Sequence, residues 1–117
     1  ETRAHATAHG KALLARLTPR ARRRYLDEHG MARLTPATIT SAEALEAELL
    51  RVRAAGIAVS VGEADPAWTC LGVALPPAGE ERDTVHALSV SVPTQEFRRR
   101  PEAIRAALAE AASLRIR

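Results

Sequence analysis

Apolar and small or polar residues alternate in three short stretches of the second half of the chain: Ile57–Gly62, Cys70–Leu75 and Val85–Val92. Read with the period of two that a strand imposes, each stretch has a heavy face and a light face. The heavy faces carry Ile57, Val59 and Val61; Leu71, Val73 and Leu75; Leu88, Val90 and Val92. The light faces carry Ala58, Ser60 and Gly62; Cys70, Gly72 and Ala74; Ala87, Ser89 and Ser91. A sheet of these strands is expected to pack its heavy side on helices. Its light side has two readings. It is a shallow floor with a few hydroxyls and a thiol, suited to a small polar molecule, or it lets an Ala-rich helix sit close.

The first half of the chain follows a helical period instead. Thr7 reads as an N-cap for a short helix over Ala8–Leu17, with Ala8, Ala12, Leu13 and Leu17 at helical spacing. Gly10, in its first turn, permits a close backbone approach. Thr18-Pro19 repeats the start signal for a helix over Arg20–Glu28, with Tyr25 and Leu26 inward, the Arg run outward and Gly30 as the stop. Leu34-Thr35-Pro36 reads as a loop. Thr40 and Glu43 form a capping-box pair ahead of a helix over Ser41–Ala55, whose inward stripe is Leu45, Leu49 and Val52. Gly56 is expected to end that helix in the left-handed conformation, with Ile57 touching Val52.

The connectors Glu63–Thr69 and Pro76–Thr84 are hairpin-like in length, which predicts an antiparallel three-stranded meander. Pro93 closes the last strand. Pro101 opens a final helix to about Leu114, with Ile104, Leu108, Ala111 and Leu114 inward. The order helix, helix, helix, strand, strand, strand, helix is α+β, and three strands leave a sheet edge open unless something pairs with it.

Composition narrows the function. With 117 residues, one domain is expected, and 46% apolar content supplies a core. Aromatics are only 3%, which argues against base stacking on nucleic acid. The net charge is +3, and the clusters Arg20–Arg22–Arg23–Arg24 and Arg98–Arg99–Arg100 read as solvated helix faces. One cysteine excludes a disulfide within the chain and a zinc site built on two thiolates, and fits a reducing, cytoplasmic setting. No stretch approaches the ~20 apolar residues of a membrane span, and no signal peptide is evident. The first residue is not Met, so the sequence reads as a piece of a longer protein.

Several segments together resemble a known family. The run His5-Ala6-Thr7-Ala8-His9-Gly10-Lys11-Ala12-Leu13-Leu14-Ala15 resembles the helix-start motif of IclR-type bacterial transcription regulators. Leu34-Thr35-Pro36, Thr38-Ile39-Thr40, Leu45, Val52-Arg53 and Gly56 resemble the segment that follows it. Glu63, Cys70 and Ala87-Leu88-Ser89-Val90-Ser91-Val92-Pro93 resemble the end. The resemblance implies a GAF-like (profilin-like) effector-sensing C-terminal domain over 1–117, which also mediates dimer or tetramer assembly. It further implies that the family's upstream strands, and the separate winged helix-turn-helix domain through which such regulators bind DNA, are not part of this sequence. No cofactor is implied.

In the family, a small carboxylic or aromatic acid sits between the helix start and the light face of the sheet. Carried over, the effector-binding positions are Ala8, His9 and Gly10, then Ser60 and Cys70, then Ser89 and Ser91. Trp68, just before the Cys70 strand, is placed either as a lid over the pocket or as a residue sealing the hairpin. Glu63 matches a family acid and could equally pair with an Arg at the strand end. Two positions depart from the family: Ser60 replaces a common acidic residue, and His9 replaces a small one. Both make the site less acidic and suit a more anionic or differently shaped acid.

Three other readings carry less. Cys70 with His9 or His86 lacks an orienting acid and a nucleophile elbow, so no catalytic residue is assigned and the chain is read as a non-enzyme. His5 and His9 are four apart but have no evident third ligand, so no metal is assigned. A pure assembly module without a small-molecule ligand is the main alternative.

Overall fold

The computed structural model describes residues 3–75 and 86–114. A 3-10 turn, Ala4–Ala6, precedes α1 (Ala8–Leu14), α2 (Pro19–His29) and α3 (Ala42–Ala55). The strands follow as β1 (Ala58–Val61), β2 (Trp68–Leu75) and β3 (His86–Pro93), then α4 (Thr94–Arg99) and α5 (Pro101–Leu114). The expected α+β order stands, with a short helix added between the last strand and the final helix. The expected connector Pro76–Thr84 lies outside the described residues.

The sheet is an antiparallel meander in the order β1-β2-β3. Its register joins the light faces across the strands: Ala58 opposes Gly72, Ser60 opposes Cys70, Cys70 opposes Ser91, and Gly72 opposes Ser89. The heavy face packs on the C-terminal helices, where Leu71, Val73 and Leu75 meet Phe97 and Leu108, with Ile104 beside them. The light face packs on α1 through Ala58, Ala8, Ala12 and Ala15, and Leu45, Leu49 and Val52 of α3 close this second core. Burying a leucine such as Leu45, Leu49 or Leu71 contributes roughly 1.5–3 kcal/mol.

Two glycines set the layer spacing. A Cβ on Gly72 would lie 3.1 Å from the Ala8 carbonyl carbon and 3.3 Å from the His9 nitrogen. A Cβ on Gly10 would lie 2.3 Å from Ala4 Cα. The first turn of α1 is therefore pressed between the 3-10 turn and the sheet, as the close-helix reading of the light face expects.

Local signals are honoured with some corrections. Thr18 Oγ1 accepts from the Ala21 N–H, Gly30 caps α2, and Gly56 takes the left-handed conformation with φ 75°. The α3 cap is Ser41, whose Oγ accepts from the Ala44 N–H, rather than Thr40, whose hydroxyl receives Arg33. The first helix stops at Leu14, not Leu17. Arg22 is not outward: it is 3% exposed, forks Glu46 through Nε and Nη2 at 2.8 Å each, and donates through Nη1 to the Leu14 and Leu17 carbonyls. Arg22 shares a helical stripe with Tyr25 and Leu26, which was the available signal for its burial. In α5, Ala112 rather than Ala111 joins the heavy-face core, and the Leu114 side chain lies outside the described residues. Ile57 packs with the heavy-face core, while Val52 belongs to the other.

Candidate functional site

Placement of the site begins with a buried ion-pair network. Lys11 is 0% exposed, and its Nζ donates to Glu48 Oε2 at 2.7 Å, to the Val59 carbonyl at 3.0 Å and to Glu63 Oε2 at 2.9 Å. Arg51 holds the other oxygen of Glu48 at 2.9 Å. Burial pushes Glu63 above the usual carboxylate range, and Lys11 offsets this only in part. Burial also works against ionisation of Glu48, but there Lys11 and Arg51 outweigh it and hold the carboxyl below that range. The two carboxylates share one ammonium yet shift oppositely: Glu63 is the more deeply buried and also feels the Glu48 charge, whereas Glu48 has Arg51 as a second cation.

The Glu63 turn is itself clamped. Thr35 Oγ1 donates to the Gly62 carbonyl at 2.7 Å, and Thr38 Oγ1 donates to the Glu63 carbonyl at 2.6 Å. The Leu34–Thr40 segment thus locks a β1–β2 turn, and that turn locks α1. Glu63 pairs with a lysine of α1, not with an arginine. Sequence reasoning passed over Lys11, Thr35 and Thr38 as site-building residues, although all three lie inside the motifs it singled out.

Around this anchor the carried-over residues fall into two groups. Ala8, Gly10 and Ser60 are buried. The Gly10 N–H is held by Thr7 Oγ1 at 3.0 Å, and Ser60 Oγ donates to the Ala6 carbonyl at 2.5 Å. Ser60 fastens the 3-10 turn to β1, so its hydroxyl proton is not free for a ligand. His9, Ser89 and Ser91 are exposed and Cys70 is half-buried, with Cys70 Sγ 3.2 Å from Ser91 Oγ. The N–H groups of Ala8 and His9 have no partner among the described residues. Trp68 lies on the same light face two residues before Cys70 and is 48% exposed, not a core seal.

The result is a shelf rather than an enclosed pocket. The α1 start covers Gly72, with the His9 backbone against it, leaving Trp68, Cys70, Ser91 and Ser89 along the β2–β3 side. Two cavities border it without joining its parts. One of ≈ 290 Å³ includes His9 and Gly10 but runs toward Leu13, Leu17 and Tyr25. Another of ≈ 300 Å³ includes Ser89 but lies between β3 and α5. His86 stands at the start of β3, opposite Leu75, and Cys70 opposes Ser91, so the strand register separates the two as a nucleophile pair. No group of three or more potential metal-ligating side chains occurs among the described residues.

The profile described as bacterial transcriptional regulator IclR C-terminal matches residues 1–116. The chain belongs to the IclR family. This is a family of transcription regulators, not of enzymes. The chain is 37% identical over 90 residues to the HTH-type transcriptional regulator BhcR of Paracoccus denitrificans, a match spanning 77% of this chain and 32% of BhcR. The C-terminal domain of the Escherichia coli regulator KdgR superposes with a TM-score of 0.80, with 32% identity over 94% of this chain and 66% of that one. The inducer-binding domain of PobR from Acinetobacter, a double mutant in complex with 3-hydroxybenzoic acid, superposes at 0.79 with 26% identity over 94% of this chain and 65% of that one. The IclR chain described here therefore spans about a third of BhcR and about two thirds of these solved domains. No helix among its described residues is long and apolar enough to cross a membrane.

Proposed function

We propose that this IclR chain senses a small carboxylic or aromatic acid on the light-face shelf and thereby modulates DNA binding by a separate domain of a cytoplasmic regulator. The observation that carries the reading is the set of exposed Ser89 and Ser91 hydroxyls with the Cys70 thiol, side by side next to the start of α1. Two hydroxyls on one strand face can donate together to one carboxylate, and the free Ala8 and His9 N–H groups and the His9 imidazole add donors beside them. With the Ser60 hydroxyl proton committed to Ala6, no ionised carboxylate stands among the shelf residues, which favours an anion. Trp68 is the lid. The inducer-bound PobR relative supports an acid of this kind.

Assembly into a homodimer or tetramer is the second part of the reading. The observation favouring it is β3, which among the described residues is hydrogen-bonded on one side only and is exposed along much of its length. A module that only assembles would respond to no acid at all.

The deciding experiment is a thermal-shift series with 3-hydroxybenzoate and other small acids on the parent chain and on a Ser89→Ala/Ser91→Ala variant. A ligand at a hundred times its Kd stabilises by about 2.7 kcal/mol, which for a domain of this size is on the order of 10 °C. A saturable rise lost in the variant supports sensing on the shelf. A rise equal in both proteins removes the serines from the site, and a chain that associates but never shifts supports assembly alone.

A further inference from the structure

We propose a second acid-binding site at the opposite end of α1, on the same sheet face but independent of the Ser89–Ser91 shelf. A cavity of ≈ 250 Å³ lies there, floored by Ala12, Ala15, Gly72 and Ala74, with Arg16 and Arg53 at its rim and the last turn of α3 as its wall. For scale, a cavity of about 150 Å³ lined by hydrocarbon is enough to hold benzene. This one has room for a ring and a carboxylate.

Charge selects the ligand. No acidic side chain lines the cavity. The Arg53 charge acts on Glu46, and that carboxylate is already forked by Arg22. Arg53 Nη1 reaches the Ala15 carbonyl at 3.4 Å and has further donors to offer, while the Arg16 guanidinium has no ion pair among the described residues. The end of a helix ordinarily repels anions, since its last carbonyls carry partial negative charge. Here that end is covered: Arg53 sits on the Ala15 carbonyl, and Arg22 sits on those of Leu14 and Leu17. The end of α3 in the wall brings its own partial negative charge, which the two full positive charges of Arg16 and Arg53 outweigh beside a hydrocarbon floor.

The lining side chains are hydrocarbon apart from the two guanidiniums, so a polyol or a sugar finds few partners. The ligand class is a monocarboxylate with a compact apolar body, aryl or short branched alkyl, its ring on the Ala and Gly floor and its carboxylate between Arg16 and Arg53.

The probe is benzoate, with benzamide as its uncharged counterpart, titrated by calorimetry into the parent chain, into Ser89→Ala/Ser91→Ala, and into that double variant carrying Arg16→Gln or Ala74→Leu. Arg16→Gln changes an exposed side chain and leaves the fold alone. Ala74→Leu fills the floor. Ser89→Ala/Ser91→Ala reports on the shelf. We expect benzoate binding that stays saturable in the double serine variant, weakens there at least about fivefold when Arg16→Gln is added, and disappears there when Ala74→Leu is added. Benzamide should bind at least about tenfold more weakly. The inference is overturned by benzoate affinity that ignores both Arg16→Gln and Ala74→Leu, by binding lost only with the serines, or by no saturation at millimolar benzoate. Loss with the serines alone would leave the proposed sensing shelf standing, so the two readings fail separately.

Discussion

Replacing Lys11 by Met keeps the bulk of the side chain and removes the charge that α3 and the Glu63 turn are built around. The parent side chain is fully buried, with three hydrogen-bond partners at 2.7–3.0 Å. In the variant Glu48 keeps Arg51, but Glu63 keeps no cation, and it is already pushed above the ordinary carboxylate range by burial. Breaking a buried pair by deleting one partner costs about 3–5 kcal/mol, because the remaining charge is left unpaired in a poorly solvating site. A domain of this length has a total stability on the order of 6–17 kcal/mol, so the loss is a large fraction of it. It should also depend on pH. In the variant the folded-state pKa of Glu63 rises further above its unfolded value, so the folded chain binds the proton more tightly. Stability then falls as pH rises between the two pKa values, by about 1.4 kcal/mol per unit for one proton, and acidification recovers part of the deficit. In the parent the two carboxyls oppose each other: Glu48, shifted down, adds stability that is lost as pH falls through its folded pKa, while Glu63, shifted up, contributes with the reverse sign. The assay is urea unfolding followed by far-UV circular dichroism at about pH 5.5 and about pH 8, with a Lys11→Met/Glu63→Gln double variant alongside. We expect a deficit that is smaller at the lower pH and partly rescued in the double variant. A deficit below about 1 kcal/mol, or one that is the same at both pH values, would refute the reasoning.

Two further outcomes follow from the packing around α1. Gly10→Ala places a methyl group within 2.3 Å of Ala4 Cα, against backbone that cannot rotate away, so the 3-10 turn must move. The expected loss is about 1–3 kcal/mol or more in urea unfolding, and a neutral result would mean that the turn is not pressed on the helix. Arg22→Met should cost more than Glu46→Gln, because Arg22 is buried and also serves the Leu14 and Leu17 carbonyls, whereas the Glu46 side chain is 45% exposed and its pairing is screened by water. Equal losses in thermal melts of the two variants would show that only the ion pair matters.

The sheet was legible because a strand repeats every two residues, so the alternation in 57–62, 70–75 and 85–92 assigned every side chain to a face before any pairing was known. The antiparallel register then brought Ser60, Cys70, Ser89 and Ser91 onto the face where that alternation placed them. Caps were legible where the signal is local, as at Thr7, Thr18 and Gly56. Ser41 displaced Thr40 because adjacent hydroxyl residues both qualify as an N-cap, and the docking of α3 chose between them.

What only the tertiary structure decided are the distances between elements that are far apart in the chain. Nothing local says that Lys11 meets Glu48 and Glu63, or that Arg22, the second arginine of a basic run, turns inward to end α1. Those partners are 37, 52 and 24 residues away. Nor could the pattern choose between an open small-residue floor and a closely seated helix, since both require the same residues. The structure has both: α1 lies on Gly72 at its centre, while hydroxyls and a thiol remain exposed on one side and an arginine-rimmed hollow on the other. Period and capping act through neighbouring residues and can be read along the chain. Burial, ion pairing and cavity shape arise where separate elements meet, and only their packing sets them.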